Sequence, residues 1–313
     1  MVCLLSDQTS QFHRFPDSPL RAAPPETSNR LGPRQFSSEL KQGRFVSWRW
    51  LRVARYVQQV VNAVHPEVSD LVADIHARVI LLMSQNLVGL YVFGSVASEG
   101  YDPGVSDVDL LVVTAQPLVA AEYARLRRMH VELAAGRKQW KDRVEVAYLS
   151  REALRTVKQR TSEIGIIGPG KPFQVVKAGR DWLMEWYDVR EHAIVVAGPD
   201  PRTLIDPITR AELNACIRDY VLLFPGRVRD HPHRGSDAYA VLTMCRALHT
   251  NLMGETTTKR AAAEWAAWEY PQWHDLITQA QQWRLAADNE AMNSAEIHAQ
   301  VEAFVNFTVH AFH

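Results

Sequence analysis

Residues 87–113, LVGLYVFGSVASEGYDPGVSDVDLLVV, constrain this chain more tightly than any other stretch. Two apolar runs flank a Gly94-Ser95 turn, a short polar loop and the triplet Asp107-Val108-Asp109. Successive side chains of a strand point to opposite faces, so Asp107 and Asp109 share one side while Val108 turns to the core. Two carboxylates side by side at a strand edge suit a hard divalent cation such as Mg²⁺, which takes oxygen ligands. Gly94 permits a tight turn, and the amides from Ser95 onward can face phosphate oxygens at the start of a helical turn. A Gly-Ser or an Asp-x-Asp alone says little. Their order between two apolar strands implies chemistry on a nucleotide.

Composition narrows the classes of function. The chain has 313 residues, 47% apolar and 22% charged, enough for two domains with real cores. Lys plus Arg (35) balances Asp plus Glu (35), which argues against a dedicated nucleic-acid binder, whose domains tend to be basic. Cys3, Cys216 and Cys245 are too few and too scattered for a disulfide framework or a zinc site, so a reducing cytoplasm is the expected setting. The first ten residues lack the basic and apolar regions of a signal peptide, and no apolar run approaches the roughly 18 residues of a membrane span. A monomer without a membrane partner is expected.

Along the chain, residues 1–46 mix five prolines with Ser, Arg and Gln and read as a disordered tail. Helical spacing begins over 48–64 and resumes after Pro66. Strands follow at 87–93 and 108–113, then a helix over 116–135. Residues 143–149 alternate, with Val144, Val146 and Tyr148 on one face and Arg143, Glu145 and Ala147 on the other. Gly165, Gly168, Pro169 and Gly170 read as a connecting loop, and 193–196 as a short strand. Gly198-Pro199-Asp200-Pro201 marks a domain boundary. Beyond it, helices are expected at 208–224, 237–253, 258–269, 271–285 and 294–312. The fold class is therefore an α/β (α+β) domain with a small mixed sheet over 47–200, followed by an all-α bundle over 201–313.

Glu145 is the third carboxylate expected at the Asp pair, because a strand pairing beside the Asp strand can present one acid to the same face. Its role would be to ligate the metal and to accept the proton of an attacking hydroxyl. An Asp-Asp-Glu set with a Gly-Ser phosphate turn describes nucleotidyl transfer.

Gly94-Ser95 followed by Ser106-Asp107-Val108-Asp109 resembles the nucleotidyltransferase superfamily that includes DNA polymerase β. Residues 240–246 (AVLTMCR), Gly254-Glu255, Lys259 and residues 262–266 (AAEWA) resemble the helical domain of bacterial aminoglycoside adenylyltransferases acting on streptomycin and spectinomycin. The resemblance spans about 48–310. It implies that Asp107 and Asp109 bind Mg²⁺, that Glu145 is the catalytic base, and that Gly94 and Ser95 meet the phosphates of ATP. It also implies that Arg246 and Lys259 reach those phosphates from the helical domain, with a small molecule offering the acceptor hydroxyl.

The acceptor side departs from the pattern. Family members that accept streptomycin carry a Trp and an Asp shortly before the Arg-bearing helix, whereas residues 224–237 (FPGRVRDHPHRGSD) hold no Trp and several Arg and His. A polycation wants carboxylates, and here Asp230 and Asp237 are the candidates against nearby arginines. His231 and His233 read as exposed loop residues. Trp265, Trp268, Tyr270 and Trp273 read as bundle packing, with Trp182, Met184 and Trp186 as possible cleft neighbours. The alternatives are a protein or RNA acceptor, or a nucleotide-binding regulator without turnover.

Overall fold

The computed structural model describes residues 65–230, 232–286 and 291–312. The tail over 1–46 and the helix expected over 48–64 lie outside the described residues, as does His231.

Pro66 opens helix α1 (Pro66–Met83) where its missing N–H costs nothing, and Val68, Leu71, Val72, Ile75, Val79 and Met83 recur at helical spacing, all buried. Strand β1 (Leu87–Phe93) runs antiparallel to β2 (Val108–Thr114), with Phe93 opposite Asp109. Helix α2 (Ala120–Gly136) carries the chain over to β3 (Val144–Ser150), which lies parallel to β2 and sets Glu145 beside Asp109. The short helix α3 (Arg151–Arg155) then leads to β4 (Ser162–Ile167) and β5 (Gln174–Ala178), an antiparallel pair at one sheet edge. After α4 (Leu183–His192), strand β6 (Ile194–Ala197) closes the other edge against β1. The sheet is mixed, in the order β5-β4-β3-β2-β1-β6.

One expectation is corrected here. Gly165 belongs to β4 rather than to a loop, and a Cβ on it would meet Phe173 at 2.8 Å and Tyr123 at 2.9 Å. Glycine fits because two aromatic rings cover it, a reason invisible to local pattern. The glycine cluster at 168–170 does form the turn between β4 and β5.

From Pro201 onward the described elements are helical. They are α5 (Arg210–Val221), α6 (Phe224–Asp230), α7 (Arg234–Met253), α8 (Lys259–Glu269), α9 (His274–Leu285) and α10 (Ala295–Ala311). Helix α6 extends past 224, where the expected helix over 208–224 ends, and its Pro225 is tolerated in the first turn. Thr209 and Glu212 form a capping box on α5, while Thr258 and Ser294 cap α8 and α10. Among the described residues, no helix is long and apolar enough to cross a membrane.

The two sheet faces have different partners. Val108, Leu110, Val144, Val146 and Tyr148 pack with α1 and α2. On the other face, Tyr91, Phe93, Leu111, Ala147 and Leu149 join one continuous core with Trp186 of α4 and with Val241, Ala263, Ile277 and Phe304 of the bundle. The helices are thus cemented to the face from which Asp109 and Glu145 project. Each fully buried side chain of this size stabilises the assembly by about 1.5–3 kcal/mol.

Trp182 and Trp186 stack at 5.4 Å inside that core, and Met184 lines a recess beside the main cleft. Trp265, Tyr270 and Trp273 pack as expected. Trp268 does not: it is 77% exposed.

Candidate active site

Strand β1 ends at Phe93, and the chain turns at Gly94 with φ of 67°. A Cβ at Gly94 would stand 2.2 Å from Asp109 Oδ2, so the turn tolerates only glycine against that carboxylate. Ser98 Oγ donates to the Gly94 carbonyl at 2.8 Å, and Asp188 Oδ2 of α4 accepts the Gly94 N–H at 2.9 Å. The turn is therefore fixed from both sides.

The loop before β2 is braced by two arginines. Arg143 donates to the Ser106 carbonyl through Nη2 at 2.6 Å and Nε at 3.2 Å. Arg284, at the end of α9, pairs with Asp102 and donates to Ser106 Oγ at 3.1 Å. Asp107 follows directly.

Gly94, Ser95, Asp107, Asp109, Arg246 and Lys259 all line one cleft between sheet and bundle. Six of the seven site residues expected from sequence are thereby brought together. Glu145 is not among the lining residues. It is buried one strand over, at the register position beside Asp109 and on the same face, with its Oε2 4.0 Å from where a Gly168 Cβ would be.

The cleft gathers both acids and bases. Burial pushes the Asp109 carboxyl up to about 7, helped by the like charges of Asp107 and Asp188. Burial raises Asp107 as well, against the pull of Lys259. Facing them, Lys259 falls to about 7 through burial and the neighbouring Arg284 and Arg246. Burial likewise lowers Arg246. The Asp107 and Asp109 carboxylates and the Arg246 and Lys259 cations thus line one cleft within electrostatic reach of each other.

Among the described residues, no group of three or more His, Cys, Asp or Glu side chains is gathered closely enough to hold a metal unaided. Mg²⁺ does not ask for such a cage; it commonly uses one or two carboxylates plus substrate phosphates and water. The Asp107–Asp109 wall fits that donor set.

Sequence reasoning missed Asp188, His192, Arg284 and Arg143, whose positions are set by tertiary packing. It also offered Asp237 to a cationic acceptor. Asp237 is fully buried, with its carboxylate taken by Asn293 Nδ2 at 2.7 Å and His298 Nδ1 at 3.0 Å. Asp230 stays exposed at the end of α6. His233 caps α7 by accepting the Ser236 N–H at 3.2 Å, and Arg227 lies over the rings of Tyr220 and Phe224.

Comparison with known proteins agrees with this layout. Residues 78–170 match the nucleotidyltransferase domain model, and residues 203–311 match the model of the aminoglycoside adenylyltransferase C-terminal domain. The chain thus carries a nucleotidyltransferase domain and, after it, a domain of the aminoglycoside adenylyltransferase C-terminal type. An aminoglycoside (3'') (9) adenylyltransferase of Shigella flexneri is 24% identical over 259 residues, covering 79% of this chain and 95% of the relative. A spectinomycin 9-adenylyltransferase of Staphylococcus aureus is 25% identical over 202 residues, 62% of this chain and 75% of the relative. A solved spectinomycin adenyltransferase from Enterococcus faecialis, with ATP and spectinomycin, superposes with a TM-score of 0.62 at 18% identity, covering 78% of this chain and 98% of that one. That likeness establishes the fold. With its nucleotidyltransferase domain the chain is a nucleotidyltransferase.

Proposed function

We propose that this enzyme transfers AMP from ATP to a hydroxyl of a small molecule of the aminocyclitol antibiotic class, with Mg²⁺ as the metal. The observation that carries the reading is the cleft that gathers Asp107 and Asp109 with Arg246 and Lys259, whose acids call for a cation and whose bases call for a polyanion. Magnesium-bound ATP supplies both.

Residues 47–200 act as the nucleotidyltransferase domain and 201–313 as the domain that closes over it. Gly94, whose own N–H is held by Asp188, makes the turn that lets Ser95 present its N–H and hydroxyl to phosphate oxygens. Arg246 and Lys259 hold the triphosphate from the opposite wall, where a guanidinium grips two oxygens at once. Asp107 and Asp109 hold the metal, with Glu145 closing the carboxylate set. A Mg²⁺ held there would supply positive charge to offset the negative charge building on the leaving pyrophosphate. Glu145 accepts the proton of the attacking hydroxyl as that oxygen bonds to the α-phosphorus. The bond from the α-phosphorus to the bridging oxygen breaks, and its electron pair leaves with pyrophosphate.

The acceptor side favours a weakly charged aminocyclitol over a strongly cationic one. Asp237 is consumed internally, which leaves few free carboxylates beside the cleft. Relatives named for spectinomycin support the same class.

The test is incubation with labelled ATP, Mg²⁺ and a panel of aminocyclitols, read as adenylylated product and released pyrophosphate. Spectinomycin is expected to be modified ahead of streptomycin. ATP binding without product from any small hydroxyl acceptor would refute the reading.

A further inference from the structure

Helix α4 ends at the wall of the cleft, and its last residue, His192, lines that cleft with Ser95, Arg246 and Lys259. Asp188 lies one turn earlier on the same helix, buried, and uses its two oxygens separately. Its Oδ1 is 3.1 Å from His192 Nδ1, and its Oδ2 accepts the Gly94 N–H at 2.9 Å. One carboxylate thus ties the phosphate turn of the sheet domain to an imidazole on the cleft wall.

That hydrogen bond directs Nδ1 inward and leaves Nε2 as the ring atom available to a ligand. The other carboxylate near the ring, Glu191, is engaged by Arg190 and by Arg202 at 3.3 Å. The Tyr187 ring sits edge-on at 6.2 Å and shields one side of the imidazole. Asp188 is the acid that sets the character of the ring.

We propose that His192 is a further ligand of the nucleotide's polyphosphate, donating from Nε2 to a phosphate oxygen, and that Asp188 is its positioning residue. The inference rests on the reading of this cleft as an ATP site. The Asp188 hydrogen bond raises His192 above the usual imidazole range, which favours the doubly protonated ring. Asp188 itself stays low: burial works against its charge, but His192 and Arg246 outweigh burial. The contribution of His192 is charge and direction. A structural role for the pair, holding α4 to the turn, would need Asp188 and Gly94 but not a ring facing the cleft.

The test is calorimetric titration of ATP and of inorganic pyrophosphate, each with Mg²⁺, into wild type, His192→Gln, His192→Lys and Asp188→Asn. Loss of a charge-assisted hydrogen bond should weaken both ligands about tenfold in His192→Gln, with partial recovery in His192→Lys. In Asp188→Asn, the His192 titration followed by NMR should move down toward the ordinary histidine value, whereas a purely structural role for the pair would leave the affinity of His192→Gln for both ligands unchanged. His192 is 39% exposed, so its variants should fold. Equal binding of both ligands by wild type and His192→Gln would overturn the proposal while leaving the ATP site standing. Failure of wild type itself to bind ATP would remove the reading on which it rests.

Discussion

Gly94 and Asp109 are packed so closely that a Cβ on Gly94 would stand 2.2 Å from Asp109 Oδ2. The backbone there has φ of 67°, which costs a non-glycine residue about 1–2 kcal/mol. Gly94→Ala is therefore expected to displace the Asp109 carboxylate and to lower kcat/KM by about a hundredfold or more, as ångström-scale misplacements do. The drop in Tm should be modest by comparison. Steady-state kinetics and a thermal melt on the same preparation check both.

Arg284 links the bundle to the loop that carries Asp107. Its pairing with Asp102 and Ser106 is partly buried, at 19% and 29% exposure for the arginine and aspartate side chains. Arg284→Gln should cost about 1–3 kcal/mol in transition-state stabilisation, since it removes charge-assisted bonds that hold the loop. A double-mutant cycle with Asp102→Asn should show strong coupling. Additive effects would mean that the two side chains act independently.

Lys259 falls to about 7 because burial and two neighbouring arginines disfavour its ammonium. In the free enzyme, the proton is lost as pH rises through that value, so ATP affinity should fall between about pH 7 and 9. Lys259→Arg keeps its charge over that range and should flatten the profile, even where its absolute affinity differs. Nucleotide titrations at several pH values measure this directly.

Glu185 offers a stability test away from the chemistry. It is buried in α4 with no other residue hydrogen-bonded to its carboxyl group, and burial lifts it to about 8 from an ordinary value of 4.5, with Asp181 and Asp188 adding to the shift. Its folded pKa lies above its unfolded one, so the native state binds more protons between those values. Stability is then full below the unfolded pKa and is lost as pH rises toward 8, by up to about 1.4 kcal/mol per unit. Glu185→Gln should remove that slope in denaturant melts taken from pH 5 to 9.

Local spacing made the reacting core legible. Gly94, Asp107 and Asp109 lie within 16 residues of one another, and strand alternation alone assigned Val108 to the core. Glu145 was legible because 143–149 alternates, and parallel pairing then set it beside Asp109. Arg246 and Lys259 came from resemblance, since nothing in their local pattern marks them. The remaining features depend on contacts between distant segments. Asp188 and His192 look like surface positions on a short helix until the turn after β1 supplies the Gly94 N–H. Asp237 looks available until α10 brings His298 to it. Strand β4 hides its glycine under Phe173 and Tyr123.

The central claim is that the Asp wall of the sheet domain and the basic wall of the bundle form one magnesium–nucleotide site. Titration of ATP with and without Mg²⁺ into wild type, Asp109→Asn and Arg246→Gln tests it most directly. Wild type should gain affinity from Mg²⁺, Asp109→Asn should lose that gain while still folding, and Arg246→Gln should weaken ATP about tenfold or more with or without the metal. Wild-type binding and wild-type Mg²⁺ dependence in either variant would contradict the account.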